Sequence, residues 1–246
     1  MNTRLVGSEM CIRDSLLPAG VAKLSDIKIS ANWMASPDDS QRKSDLFNTV
    51  KELTQKVCKP WRIAIPVGKD SLSMKTIWQN NKKNNLSPQS LVISAFAKIK
   101  NVSNSITPQL INKDELVLVY LDLSKNKKRL GGSILAEVTQ QTNLETPNLE
   151  NLKEFPRIYN FLATNINKKR IYSFHDISDG GLVVSAVEMM LAGGCGLNLD
   201  FSKISFFNDS CNLFSEELGV LFQINNKDFS GFKKDFKRLG LKNSFF

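Results

Sequence analysis

One histidine, His175, and four cysteines, Cys11, Cys58, Cys195 and Cys211, are the only imidazole or thiol groups in this 246-residue chain, and no two cysteines form a CxxC pair. Neither a structural zinc site nor a disulfide framework is indicated. No apolar run approaches the roughly 18 residues that span a bilayer, and no charged start leads into an apolar core with a small-residue cleavage site. A reducing cytoplasm is the expected location, with no membrane partner. The chain also lacks a concentrated basic element. Its 33 Lys+Arg outnumber 24 Asp+Glu to give +9, but the basic clusters at Lys82-Lys83, Lys125 to Arg129, Lys168 to Arg170 and Lys233 to Arg238 are scattered among loops and polar helix faces. They read as solvated surface, and no nucleic-acid partner is expected.

The length fits one large domain or two of ordinary size. Met1 to Ser15 has no clear period and reads as a non-native leader. From Asp26 onward the pattern is coherent. Ile27 to Ile29 predicts a short strand. Leu46, Val50, Leu53 and Val57 recur at helical spacing behind a Ser44 cap, predicting a helix that Lys59-Pro60 ends. Arg62 to Ile65 predicts a strand leading into a turn, Ile65 to Met74. A hairpin or loop follows from Gln79 to Gln89, and a strand from Leu91 to Ile99. Asn101 to Asn112 is the best boundary. Beyond it, Leu116 to Leu121 predicts a strand covered on both faces. Helices are expected from Gly131-Gly132 to about Gln141, over Leu149 to Ile166, from Leu182 to a Gly193-Gly194 stop, and over Asp228 to Leu239. Strands are expected at Tyr172 to Phe174, Leu197 to Leu199 and Val220 to Ile224. The fold class is α/β with mixed sheets in two lobes.

Ser173 to Glu188, SFHDISDGGLVVSAVE, carries the most chemistry. Asp176 and Asp179 offer the hard oxygens that Mg²⁺ takes, Ser178 a hydroxyl, and Gly180-Gly181 a close backbone approach where the next helix presents N–H groups. The same residues also suit a tight strand-to-helix turn with Asp179 as cap, and His175 suits a packed position as well as a base. In IPVGKDSLSM, Ile65 to Met74, Gly68, Lys69 and Ser71 supply backbone N–H, a point charge and a hydroxyl for a phosphate, or else a polar surface turn.

ISANWMASP at Ile29 to Pro37, IPVGKDSLSMKT at Ile65 to Thr76, SPQSLVISAFAKI at Ser87 to Ile99, TPQL at Thr107 to Leu110, HDISDGGLVVSAVEMMLAG at His175 to Gly193 and LFSEELGVLFQI at Leu213 to Ile224 are collinear with one family. The chain resembles phosphoribosylformylglycinamidine synthase in its large, multidomain bacterial form, from Leu16 to about Phe246. The resemblance implies a fragment carrying the second synthetase unit. Residues 16–110 and 111–246 would be lobes similar to the N- and C-terminal domains of aminoimidazole ribonucleotide synthase. It also implies an ATP-dependent C–N ligase of purine biosynthesis, which converts formylglycinamide ribonucleotide to formylglycinamidine ribonucleotide with ammonia from a glutamine amidotransferase.

Carried onto this chain, the family pattern makes Asp176 a magnesium ligand and Ser178 a contact to ATP or ADP. Gly68 and Lys69 fall on a phosphate-contacting loop and Ser71 on a substrate contact, with lysine standing where shorter relatives have asparagine. An acidic residue and an asparagine four positions on precede the LLPAGV-like segment in the family, and Ser15 stands at the asparagine position, which cuts the ligand set. No catalytic residue is expected here, because the family's catalytic histidine and cysteine belong to other domains. Those domains, the first synthetase unit and the glutaminase, are the expected partners, and the chain alone is expected to be inactive. The alternative is a standalone nucleotide-binding or scaffolding subunit of a split synthase.

Overall fold

The computed structural model describes residues 16–79, 83–142, 144–150, 152–199 and 213–241. The chain divides into two compact units, Lys23–Lys98 on one side and Met1–Ala22 with Ile99–Phe246 on the other. The leader expected over residues 1–15 lies outside the described residues.

In the unit Lys23–Lys98 the first strand, Lys28–Met34 (β1), is longer than predicted and buries alternate residues Ile29, Ala31 and Trp33, as the two-residue period of a strand requires. The helix that follows, Ser40–Glu52 (α1), begins at Ser40 and not at Ser44. Asp39 is the true cap, its side chain accepting the Arg42 amide at 2.7 Å and leaving Ser44 one turn inside. The helical path runs on through a π-helical stretch, Leu53–Cys58, past Pro60 to Trp61, and Arg62 at φ 58 ends it. Leu53, Val57, Cys58 and Trp61 are the buried side chains of this stretch.

The segment expected to turn after Ile65 instead continues as strand Ala64–Ser71 (β2), because β1 offers a parallel ladder as far as Met34↔Ser71. Lys75–Trp78 (β3) pairs antiparallel with Lys83–Leu86 (β4), so only the second strand falls within the region Gln79 to Gln89 read as hairpin or loop, and the first precedes it. Ser90–Phe96 (β5) pairs antiparallel on the other side of β1, giving the order β2-β1-β5.

The larger unit is built on a second sheet. Leu116–Asp122 (β6) is only partly covered, and the strand buried on both faces is Gly219–Asn225 (β8) in the centre of the order β6-β8-β7. Between them come Ile134–Val138 (α2), Phe155–Asn167 (α3), Ser173–Asp176 (β7) and Gly181–Gly193 (α4), and Phe229–Arg238 (α5) follows β8. Helix α3 starts at Phe155, six residues later than Leu149, with Pro156 in its first turn where proline's missing N–H costs nothing. Leu197 to Leu199, expected as a strand from its two leucines, is not one: it joins no ladder among the described residues.

Successive residues of β8 point to opposite faces, which places helices on both sides of the sheet. Phe222 meets Phe232 and Phe236 of α5 at 6.2 and 6.4 Å between ring centroids, and Phe161 of α3 stacks edge-on against both. Leu221 packs with Leu182, Ala186 and Met189 of α4, together with Ile177 and Leu110. Residues 16–22 belong to this unit through Tyr159, whose hydroxyl donates to the Val21 carbonyl at 2.8 Å.

Candidate functional site

Strand β7 ends at Asp176, and its register with Val220 fixes where that carboxylate leaves the sheet. Ile177 N–H then donates to Gly219 O at 3.0 Å, which carries the chain across the end of β8 before α4 begins. Asp176 is 4% exposed. One of its oxygens, Oδ1, faces Nδ1 of His175 at 3.2 Å, and the same nitrogen lies 2.8 Å from the Asp176 carbonyl. The other oxygen, Oδ2, is buried with no hydrogen-bond partner among the described residues. A buried carboxylate oxygen left this way costs several kcal/mol in effective terms unless something positive reaches it.

His175 is held at its other end by Glu188 of α4, Nε2 to Oε2 at 3.1 Å. The hydrogen bond to Asp176 raises its pKa above the ordinary value, against the opposing effect of burial, and Glu188 adds in the same direction. Both ring nitrogens are therefore spent on carboxylates. His175 is thus a packed, hydrogen-bonded residue held between Asp176 and Glu188.

The turn itself is closed inward. Ser178 N–H bonds Ser185 Oγ at 3.2 Å, Gly181 N–H bonds Ser178 O at 3.0 Å, and Gly180 N–H bonds Glu216 Oε1 at 2.9 Å. The Ser178, Gly180 and Gly181 amides are thus engaged within the chain. Gly180 and Gly181 have φ of 85° and 76°, values that favour glycine, and a Cβ on Gly181 would stand 2.7 Å from the Phe214 backbone. The close approach that Gly181 permits is to the Leu213 and Phe214 backbone, whereas a Cβ on Gly180 would strike Val184. Ser178 Oγ is 3.4 Å from Ser185 Oγ and half-buried, and Asp179 is exposed.

Glu216 and Glu188 escaped the sequence reading because their partners lie far along the chain. Glu216 Oε1 also accepts the Ile134 amide at 2.7 Å, so one oxygen bridges the starts of α2 and α4. Its neighbour Glu217, 2% exposed, grips Arg129 through Nε at 2.6 Å and Nη2 at 2.8 Å. That bidentate pair anchors the backbone from which Glu216 reaches out.

In the other unit, Gly68, Lys69 and Ser71 lie on β2. Lys69 Nζ donates to Ser71 Oγ at 2.7 Å and to the Asp70 carbonyl at 2.8 Å, and Ser71 Oγ lies 3.4 Å from Asn32 Oδ1 on β1. Gly68 is ordinary strand, where an added Cβ would meet Trp33 at a comfortable 3.7 Å. The structure therefore forms two polar groups, Asp176-His175-Ser178-Glu216 in one unit and Lys69-Ser71-Asn32 in the other.

No group of three or more His, Cys, Asp or Glu residues among the described ones is arranged to hold a metal. Magnesium in nucleotide sites needs only one or two carboxylates, because phosphate and water complete its octahedron. The unpartnered Asp176 Oδ2 fits that role as a single protein ligand. No helix among the described residues is long and apolar enough to cross a membrane.

Two family models match the chain: the FGAR-AT PurM_N-like domain over residues 3–98, and the AIR synthase related protein, C-terminal domain, over residues 113–244. Among solved structures, PurLQS from Thermotoga maritima aligns with a TM-score of 0.57 at 12% identity, covering 98% of this chain and 35% of that one. T. maritima PurL complexed with ATP gives 0.56 at 12% identity, with coverage of 98% and 35%. E. coli HypE, a hydrogenase maturation protein, gives 0.55 at 14% identity, covering 94% of this chain and 71% of that one. At such identities the likeness is one of fold, and the chain spans about a third of the PurL chains it matches. With both lobes of the PurM-like fold matched in order and the C-terminal model covering more than half of its residues, the chain belongs to the AIR synthase-related family.

Proposed function

We propose that the chain provides the second synthetase unit of a phosphoribosylformylglycinamidine synthase. This would be an ATP-dependent C–N ligase acting together with a first synthetase unit and a glutaminase. The observation that carries this reading is the buried, unpartnered Oδ2 of Asp176, set at a strand end beside an acid- and glycine-rich turn. Support comes from the order of the two matched domains and from T. maritima PurL, whose structures include complexes with ATP, AMPPCP and FGAR. Asp176 would hold Mg²⁺, with His175 fixing its other oxygen, and Ser178 would contact ATP or ADP. Lys69 and Ser71, already joined at 2.7 Å, would meet phosphate and formylglycinamide ribonucleotide. Bound magnesium would supply charge neutralisation on the phosphates, so the residues' work is positioning and electrostatic stabilisation.

A second reading rests on coverage, since the chain spans 71% of HypE and only 35% of PurL. In that case it would be a nucleotide-binding subunit serving other proteins. One structure of a HypE is a complex with HypF. Equilibrium dialysis of the full chain with formylglycinamide ribonucleotide in the presence of Mg·ATP separates the two. The synthase reading expects saturable binding, weakened about tenfold or more by Ser71→Ala, roughly the loss of one hydrogen bond to a charged group. Retention of Mg·ATP with no binding of the ribonucleotide would transfer the assignment to the second reading.

A further inference from the structure

Turns of this composition ordinarily present backbone amides to a phosphate, and here the Gly180 amide at the head of the helix is already taken by a carboxylate. Gly180 N–H, at the head of the 13-residue helix α4, and Ile134 N–H both donate to Glu216 Oε1, at 2.9 and 2.7 Å. The Ser178 and Gly181 amides close on Ser185 and on Ser178 itself. A phosphate oxygen arriving at the Gly180 amide would find Glu216 already seated there. Asp176 and the exposed Asp179 lie in the same turn, and His175 is paired with Glu188 as well as with Asp176, so carboxylates crowd this end of the sheet. Against this stands Asp176, 4% exposed, whose Oδ2 is buried and has no hydrogen-bond partner among the described residues, which calls for positive charge.

We propose that Glu216 is the specificity-determining residue of this site: by filling the α4 amide with its own carboxylate it excludes bare phosphate and makes nucleotide binding depend on a divalent cation at Asp176. The proposal rests on the nucleotide reading given above and adds what enforces its metal requirement. Glu216 is well placed for that task, because the Glu217–Arg129 pair beside it is buried and bidentate, and because the Phe214 backbone packs against Gly181. A carboxylate at a helix start is itself favourable, so the arrangement is stable without ligand. A phosphate able to displace it would have to overcome both that preference and the two hydrogen bonds.

The test compares the full-length protein with Glu216→Gln and Glu216→Ala, titrating each by calorimetry with Mg·ADP, with ADP in EDTA, and with inorganic phosphate. The unaltered protein is expected to bind Mg·ADP and to show no saturable binding of metal-free ADP. Glu216→Ala frees the Gly180 amide and is expected to bind metal-free ADP and phosphate at least about tenfold more tightly than the parent, the equivalent of one charge-assisted hydrogen bond. Asp176→Asn added to that variant should leave this gain in place. Glu216→Gln keeps the acceptor oxygen, and with it the fold, and should gain about threefold from loss of charge alone. No gain in either variant overturns the role of Glu216, and if Glu216→Ala does not fold, Glu216→Gln decides. Failure of the parent to bind Mg·ADP overturns the nucleotide reading instead, and the phosphate titrations still judge Glu216 separately.

Discussion

His175 gives the site a direct spectroscopic handle, since it is the single histidine of the chain and its ring signals need no assignment. Its folded pKa is raised above 6.5, first by the hydrogen bond to Asp176. The stability this pairing contributes is fully present below pH 6.5 and is lost as pH rises through the folded value. An NMR titration of the ligand-free protein should give a midpoint above 6.5, and Asp176→Asn should bring it down. A midpoint unchanged by that substitution would mean that the contact does not set the titration. Glu150 shows the opposite sign. Burial pushes its carboxyl up, but the hydrogen bond and charge of Lys127, with those of Arg129, outweigh burial and hold it below 4.5. Its contribution is present above pH 4.5 and lost as pH falls through the folded value. Urea midpoints of the parent and Glu150→Gln should differ near pH 7 and converge in acid, whereas parallel curves at every pH would remove the pair from the stability of this unit.

Elements differ in how openly the sequence announces them. Helix α3 is plain: Phe155, Ile158, Tyr159, Leu162 and Ile166 recur at helical spacing and all are buried. Strand β2 is hidden, because Gly-Lys-Asp-Ser has turn chemistry locally and becomes strand only when β1 supplies a parallel ladder. Leu197 to Leu199 fails in the reverse sense, its two leucines suggesting a strand where no ladder forms among the described residues. The candidate site was half visible. Asp176 and Ser178 stand in a contiguous motif, while Glu216 reaches Gly180 across 36 residues, a link no local pattern reveals. The turn between β7 and α4 permits a sharp comparison of glycines. Gly181→Ala combines φ of 76° with a Cβ 2.7 Å from the Phe214 backbone and should cost about 1–3 kcal/mol. Gly194→Ala, with φ of 60° and open space, should cost only about 1 kcal/mol from conformation alone. Equal losses in thermal or denaturant unfolding would show that the approach to Phe214 is not tight.

At the scale of the whole molecule, each unit has its own sheet and buried core, and the charged groups that matter most are confined to strand ends and helix starts. In the larger unit, Phe222 at the centre of β8 touches rings from α5 and lies 6.4 Å from Phe174 of β7. Phe222→Ala should therefore destabilise by roughly 3–5 kcal/mol and loosen the strand that carries Asp176. A loss under about 1 kcal/mol would mean that the aromatic cluster does not hold the sheet together. The basic clusters are not all solvated surface, as the sequence suggested: Arg129, at the end of the Lys125 to Arg129 cluster, is buried on Glu217, and the candidate site lies where β7 ends. The most direct measurement is calorimetric titration of the purified chain with Mg·ADP, repeated on Asp176→Asn. The account expects saturable binding that requires the metal and weakens at least about tenfold in the variant, some 1.4 kcal/mol or more. Equal affinity in the two proteins would contradict it.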